Sequence, residues 1–143
     1  MQTDSLPRLE PAANAAPERQ NILIIDDDDD QVDVLSHRLR SNGFEISSAE
    51  SGQRGIDMVH DHKPHLVILD LRLPDIDGFS ICQQLADDPE TCAIPVIIVS
   101  GMVRPDIIRR SRSVGCQYYV RKPYDPNALL LLIENALGKK PTL

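Results

Sequence analysis

The feature that most constrains the fold is a fivefold alternation of short apolar runs with amphipathic stretches, beginning at Asn21. The apolar runs cover residues 22–25, 44–48, 65–69, 96–99 and 117–120. Residues 65–69 form a nearly continuous aliphatic run, which is typical of a strand buried on both faces of a parallel sheet, whereas residues 44–48 predict a weaker strand. The alternation therefore predicts a (βα)₅ domain of the α/β class, with helices on both faces of a five-stranded sheet.

Capping and breaking residues mark where the predicted helices begin and end. Ser51 can cap the second helix, and Pro64 stops it. Asp125 and Pro126 combine an N-cap with a proline at the first helical position, so the last helix covers about residues 127–137. A basic fourth helix is predicted over residues 105–114.

The chain length of 143 residues, 41% of them hydrophobic, fits one domain with a real core. Residues 1–20 contain three prolines and four alanines without an apolar period, which predicts a flexible N-terminal arm. The domain then covers residues 21–138 and a short tail covers 139–143. The net charge of −7 argues against nucleic acid and anionic membranes as direct partners.

The three cysteines, Cys82, Cys92 and Cys116, have neither the spacing of a zinc site nor the even number of a disulfide framework. We expect them to act as small apolar residues in a reducing compartment. The N-terminus lacks the pattern of a secretory signal, and no apolar run approaches the roughly 18 residues that span a bilayer. These observations predict a cytoplasmic location.

The chemistry is expected where the predicted strands end, because open parallel sheets bind ligands beyond the carboxyl ends of their strands. The residues at these positions are Asp26 and Asp27, then Asp70, Ser100 and Lys122. Three clustered carboxylates need a cation, and oxygen ligands favour Mg²⁺. Lys122 and the Ser100 hydroxyl can hold oxygens of a phosphoryl group that is transferred to Asp70.

The blocks ILIIDD, VILDLRLPDIDG, VIIVSG and YVRKP, in this order and at these separations, resemble the signature blocks of response-regulator receiver domains. The resemblance covers about residues 21–138. It implies a flavodoxin-like, doubly wound sheet with the strand order 2-1-3-4-5. In that order the first and third strands are neighbours, and their terminal carboxylates meet.

The resemblance also implies roles for individual residues. Asp70 is the expected phosphoacceptor, Asp27 a direct metal ligand, and Asp26 a ligand acting directly or through water. Arg72 is expected to offer only its backbone carbonyl to the metal. Ser100 is expected to supply the switch hydroxyl, and Tyr119 is the aromatic residue expected to change its rotamer with it. Lys122 is expected to bind the phosphate, and the peptide between Lys122 and Pro123 is expected to be cis.

A protein of this family accepts its phosphoryl group from a sensor histidine kinase or a histidine phosphotransfer protein. We expect it to catalyse its own phosphorylation and dephosphorylation and not to be an enzyme acting on other substrates. The signal is expected to pass to an effector, or to a second copy in a homodimer, through the fourth helix, fifth strand and fifth helix. The sequence after the last helix is too short for an output domain, so we expect either a stand-alone receiver or a piece of a longer protein.

The acidic run that begins at Asp26 also resembles a calcium loop, but two positions argue against that interpretation. The sixth residue of such a loop is Gln31 instead of glycine, and the twelfth is His37 instead of glutamate. The acids from Asp28 to Asp30 are better explained as a cap and as first-turn residues that the helix dipole stabilises.

Two other functions are compatible with parts of the pattern. Asp26 and Asp28 fit the local arrangement of a haloacid-dehalogenase-type phosphatase, but that class needs an acidic pair where this chain has Ser100 and Gly101. A pseudo-receiver would keep the fold as a binding module without being phosphorylated. A binding module has no physical need for three clustered carboxylates, which argues against the second alternative.

The last predicted helix contains more apolar residues than one buried stripe can use. Four of them lie at the spacing of a buried stripe, namely Leu129, Leu132, Ile133 and Ala136. The other three do not, namely Leu130, Leu131 and Leu137. The second group forms either a surface for a partner or a patch partly covered by the tails.

Overall fold

A computed structural model of the chain describes residues 19–101 and 118–138, together with Asp106, Arg109, Arg110, Ser113, Val114 and Cys116. Its strands are β1 (Asn21–Ile25), β2 (Glu45–Ala49), β3 (Leu66–Asp70), β4 (Val96–Ser100) and β5 (Tyr118–Arg121). Its helices are α1 (Asp29–Ser41), α2 (Gly52–His62), α3 (Gly78–Asp87) and α4 (Pro126–Ala136), the last helix of the sequence prediction. The predicted basic helix lies mostly outside the described residues, as do residues 1–18 of the predicted arm and the predicted tail.

All the strands are parallel and follow the order β2-β1-β3-β4-β5, which confirms the predicted flavodoxin-like fold. The order reverses between β1 and β3, so the chain leaves these two neighbouring strands toward opposite sides. Ile25 pairs with Leu69 at the ends of β1 and β3, and Asp70 pairs with Val99 of β4. The carboxyl ends of β1, β3 and β4 therefore form one continuous edge.

The alternating side chains of the central strands build a separate core on each face of the sheet. On one face, Leu23 and Leu69 pack with the apolar residues of α2 and α3. On the other face, Ile24 and Ile68 pack with those of α1 and α4. Helices α1, α2 and α3 each contribute one apolar stripe, as the helical period of the sequence predicts.

Each described helix begins at a side chain that caps its free backbone N–H groups. Asp28 caps α1, Ser51 caps α2, Asp77 caps α3 and Asp125 caps α4. The predicted caps Ser51 and Asp125 are confirmed, and so is the assignment of Asp28 to a structural role. Helix α2 ends at Lys63, which has a left-handed backbone with φ of 46°.

The close approach of α2 to the sheet requires glycine at position 55. A Cβ atom built there would lie 2.5 Å from Cδ1 of Ile25 at the end of β1. Any larger residue would push α2 away from β1 and from the edge that begins at Asp26.

Some expectations for single residues need correction. Leu131 is 60% exposed, but Leu130 and Leu137 are partly buried against the core, so the contact of α4 with the core is wider than the core period predicts. Cys82 and Cys116 are buried as expected, whereas Cys92 is exposed in the loop before β4. Among the described helices, none combines the length and apolarity that crossing a membrane requires.

Candidate functional site

Three carboxylates meet at the carboxyl edge of the sheet. Asp26 directly follows β1 and is 8% exposed, and Asp70 ends β3 and is 9% exposed. Asp27 is exposed beside them, and each of the three carboxylates offers an oxygen within 4.8 Å of the others. The parallel pairing of β1 with β3 thus produces the cluster that the strand ends predict.

Backbone N–H groups fix one oxygen of each buried carboxylate. Oδ1 of Asp26 accepts a hydrogen bond from the N–H of Asp28 at 3.0 Å. Oδ1 of Asp70 accepts one from the N–H of Arg72, also at 3.0 Å. In each case a tight local turn holds the carboxylate, so the orientation of both side chains follows from the chain path just after the strand.

The second oxygen of each carboxylate binds the same cation. Nζ of Lys122 donates to Oδ2 of Asp26 and to Oδ2 of Asp70, at 3.2 Å in both cases. It also donates to Oε1 of Gln31 at 2.6 Å. The backbone N–H of Lys122 donates to the carbonyl of Ser100 at 2.8 Å, and the Lys122–Pro123 peptide is cis.

Burial and charge set the protonation of this group. Burial raises the pKa of Asp26 and the negative charge of Asp70 adds to the rise, while the Asp28 N–H and Lys122 partly offset it. Burial disfavours the charged form of Lys122, but the carboxylates of Asp70 and Asp26 outweigh it and hold the pKa of Lys122 above its usual value. The carboxylates of Asp26 and Asp70 therefore keep Lys122 charged. The negative charge of the cluster also favours the binding of a further cation beside it.

Two further predicted site residues lie on β4 and β5. Ser100 ends β4, is fully buried and pairs with Arg121 of β5. Tyr119 is partly buried and packs against the core cluster on the α2 and α3 side. Burial raises the pKa of the Tyr119 phenol, so this side chain is neutral at ordinary pH.

The donor set suits a small hard cation. The cluster offers only oxygen atoms from carboxylates, and Mg²⁺ prefers such ligands while keeping several waters. The exposed position of Asp27 leaves room for those waters on the solvent side. The residues therefore fit the predicted magnesium site.

The sequence interpretation missed two residues that shape this edge. In the sequence Gln31 stands out only as a mismatch to a calcium loop, yet its amide oxygen contacts Lys122. Asp75, in the loop after β3, accepts hydrogen bonds from the N–H groups of Gly52 and Gln53 at 2.7 and 2.9 Å. It therefore ties the loop after Asp70 to the start of α2. A carboxylate in a turn-rich loop is the only sequence signal for such a contact.

Arg110, one of the described residues before β5, also contacts this loop. Arg110 donates to Oδ2 of Asp77 at 3.2 Å and lies 4.3 Å from the ring centre of Phe79. Asp77 is the N-cap of α3, so one carboxylate serves both the helix and the arginine. The contact links the β3–α3 loop to the segment that leads into β5.

A doubly wound sheet of order 2-1-3-4-5, with a carboxylate cluster and a lysine at its carboxyl edge, defines a flavodoxin-like domain with a polar site at its strand ends. The chain belongs to the response regulator receiver domain family, which matches residues 22–134. Proteins of this family are signalling proteins of two-component systems and interact with histidine kinases or phosphotransfer proteins.

Individual relatives agree with this assignment. The polar-differentiation response regulator DivK of Brucella ovis is 28% identical over 119 residues, which cover 83% of this chain and 97% of that protein. A putative response regulator from Chloroflexus aurantiacus has a similar structure, with 28% identity, a TM-score of 0.81 and coverage of 85% and 100%. A CheY-like receiver domain protein from Methanospirillum hungatei gives 26% identity, a TM-score of 0.80 and coverage of 85% and 95%.

Proposed function

We propose that Asp70 accepts a phosphoryl group from a sensor histidine kinase or histidine phosphotransfer protein in a Mg²⁺-dependent reaction. The observation that carries the proposal is the position of Lys122, whose ammonium lies 3.2 Å from oxygens of both Asp26 and Asp70. A buried carboxylate held by one backbone N–H and one cation is both oriented and available to attack.

The transfer itself is a displacement at phosphorus. An oxygen of Asp70 forms the new O–P bond while the P–N bond to the donor histidine breaks, and the histidine leaves with the electron pair of that bond. The Arg72 N–H keeps the carboxylate in place through Oδ1. Lys122 and the hydroxyl of Ser100 stabilise the negative charge on the equatorial phosphoryl oxygens.

The carboxylates of Asp26, Asp27 and Asp70 and the backbone carbonyl of Arg72 are the groups that would hold Mg²⁺. When bound, the ion supplies the positive charge that lets a phosphoryl anion approach an acidic pocket. Two of these carboxylates are nearly buried and share the single charge of Lys122, so the three carboxylates together keep an excess of negative charge that a divalent cation would neutralise.

The signal leaves the site through β5. Ser100 gains a hydrogen bond to the phosphoryl group, and Tyr119 turns inward into the space that Ser100 leaves. The affected surface consists of the predicted basic helix over residues 105–114, β5 and α4, and α4 includes the exposed Leu131. We infer that an effector or a second copy of the chain binds to this surface. We also infer that the protein catalyses its own phosphorylation and dephosphorylation. Its proposed location is the cytoplasm.

The first test is phosphorylation by a small phosphodonor with Mg²⁺, measured by intact mass. We expect the wild type to gain one phosphoryl group and Asp70→Asn to gain none. Asp61→Asn, an exposed substitution on α2, is the matched control and should behave as the wild type does. Label on Asp26 would favour a dehalogenase-type reaction, and an unlabelled wild type would favour a pseudo-receiver.

The second test concerns the metal. Asp27→Ala removes a proposed ligand, so we expect it to weaken Mg²⁺ binding by about tenfold or more, comparable to losing one oriented group. Asp29→Ala, in the first turn of α1, removes the same charge without removing a ligand. Calorimetric titration of the unphosphorylated proteins measures both. Equal losses would mean that the acidic run, and not the carboxylate cluster, binds the ion.

A further inference from the structure

The ammonium of Lys122 has three N–H donors, and the structure provides three acceptors. Two are the carboxylate oxygens of Asp26 and Asp70, each at 3.2 Å. The third is the amide oxygen of Gln31 at 2.6 Å, the shortest of the three contacts. The side chain of Gln31 therefore completes the coordination of the lysine from a different element, α1.

The backbone of Gln31 is well fixed for this purpose. Its N–H donates to Oδ1 of Asp28, the N-cap of α1, at 3.3 Å. The next residue, Val32, is buried in the core under α1. The start of α1 thus holds the Gln31 amide beside Lys122. The contact joins residues that are 91 positions apart in the sequence.

The three acceptors differ in what else they must do. Asp26 is a candidate metal ligand, and Asp70 is the candidate phosphoacceptor, so both change partners when the site is loaded. Gln31 is neither a candidate metal ligand nor the candidate phosphoacceptor. Its amide oxygen is also neutral, so it holds the ammonium without adding negative charge where a phosphoryl anion must enter.

We propose that Gln31 is a positioning residue that holds the Lys122 ammonium within reach of the phosphoryl oxygens while its carboxylate partners change. The inference rests on the proposed function, which assigns phosphate binding to Lys122. With Gln31 as anchor, Lys122 keeps two donors for the phosphoryl group and its remaining carboxylate. Without it, the ammonium loses one fixed contact and samples more orientations.

The first experiment needs no phosphorylation. The apo protein is treated with an amine-acylating reagent, and the labelling of Lys122 is measured by peptide mass spectrometry relative to Lys63. Gln31→Met keeps the side-chain length but removes the acceptor, and we expect Lys122 labelling to rise about 2- to 10-fold, as for one lost hydrogen bond. Gln31→Glu restores an oxygen acceptor and should return labelling to the wild-type level or below it.

Gln83→Met is the matched control, because Gln83 is an exposed glutamine on α3 whose amide contacts Asp87 and not the site. We expect it to change neither Lys122 labelling nor the melting temperature. Unchanged labelling in Gln31→Met, or an equal rise in Gln83→Met, would overturn the inference.

The second experiment measures the phosphorylation rate with a small phosphodonor and Mg²⁺. We expect Gln31→Met to lower the second-order rate constant about 2- to 10-fold. If the wild type is phosphorylated and Gln31→Met reacts at the same rate, Gln31 does not position Lys122 for the reaction. If the wild type takes no phosphoryl group at all, the proposed function fails, and the labelling experiment still decides whether Gln31 holds the lysine.

Discussion

Strands β3 and β5 both end at the site, but they are held very differently. Every residue of β3 is buried, and the strand pairs with β1 on one side and β4 on the other. Strand β5 lies at the edge of the sheet, pairs with β4, and is partly or fully exposed along its length. Asp70 ends the first strand, whereas Tyr119 lies within the second and Lys122 directly follows it.

For the proposed function, this difference assigns to separate strands the two requirements of a switch, a fixed nucleophile and an element that moves. A nucleophile must keep one position, and a strand packed on both faces with two neighbours provides it. An element that changes shape must have few contacts to break, which is typical of the less stable parts of a fold. We therefore interpret β3 as the fixed part of the switch and β5 as the part that moves.

A pair of matched substitutions tests this interpretation most directly. Val67→Ala truncates a fully buried side chain in β3, and Val120→Ala truncates a partly exposed one in β5. We expect a loss of about 2–3 kcal/mol in the free energy of unfolding for Val67→Ala and about 1 kcal/mol for Val120→Ala. Urea unfolding measures both. Equal losses would mean that the two strands are equally well packed.

The second prediction concerns which elements change their amide hydrogen exchange on phosphorylation. With a phosphoryl mimic bound, amide hydrogen exchange should change in β5 and α4 and stay constant in β3. Ser100→Ala should remain phosphorylatable but lose most of a coupling of about 1–3 kcal/mol to the β5 surface. Tyr119→Ala should uncouple the same surface at a nearly unchanged phosphorylation rate. A change centred on β3 instead would reverse the assigned roles.

The smallest expected effect concerns a contact outside β5, where α2 meets the end of α3. Nε2 of His60 lies 2.9 Å from Oδ2 of Asp88, and Nδ1 lies 3.0 Å from the carbonyl of Ile56. The hydrogen bond to Asp88 raises the pKa of His60 from its ordinary value of 6.5, and the Ile56 carbonyl adds to this. Two acceptors face the two ring nitrogens, so the doubly protonated ring satisfies both.

Because the pKa is raised in the folded state, the stabilisation is fully present below the ordinary pKa of histidine and is lost as the pH rises through the folded value. His60→Ala should therefore lower the urea midpoint slightly at pH 5.5 and less at pH 8. The effect is small because both side chains are about one-third exposed. His62→Ala, on the same helix, is the control, and a difference that grows with pH would contradict the prediction.

The sequence predicts the fold well because each signal is local. The length and apolarity of the strands, the helical period and caps such as Ser51 all act within a few residues. The carboxylate cluster is also predictable, since parallel pairing alone brings Asp26 and Asp70 to one edge. Their partner Lys122 follows from the same rule, because it comes directly after the last strand.

The rest of the site depends on how long side chains cross between elements. Gln31 reaches Lys122 from α1, and Asp75 reaches the start of α2 across 22 or 23 positions. Neither contact leaves a periodic or capping pattern in the local sequence. The packing of Leu130 and Leu137 against the core is not predictable either, because a helical period predicts which face is apolar but not how wide a contact the helix makes.

The contact between Lys122 and Asp26 joins residues 96 positions apart, which is most of the length of the domain. Closing a loop of this span costs more chain entropy than closing a short one, and the contacts formed in between must offset that cost. A nascent or partly unfolded chain can expose Asp70 but has no ammonium beside it. We infer that only the completely folded domain brings this ammonium beside the two carboxylates, so the protection of Lys122 from an acylating reagent also reports that the whole domain has folded.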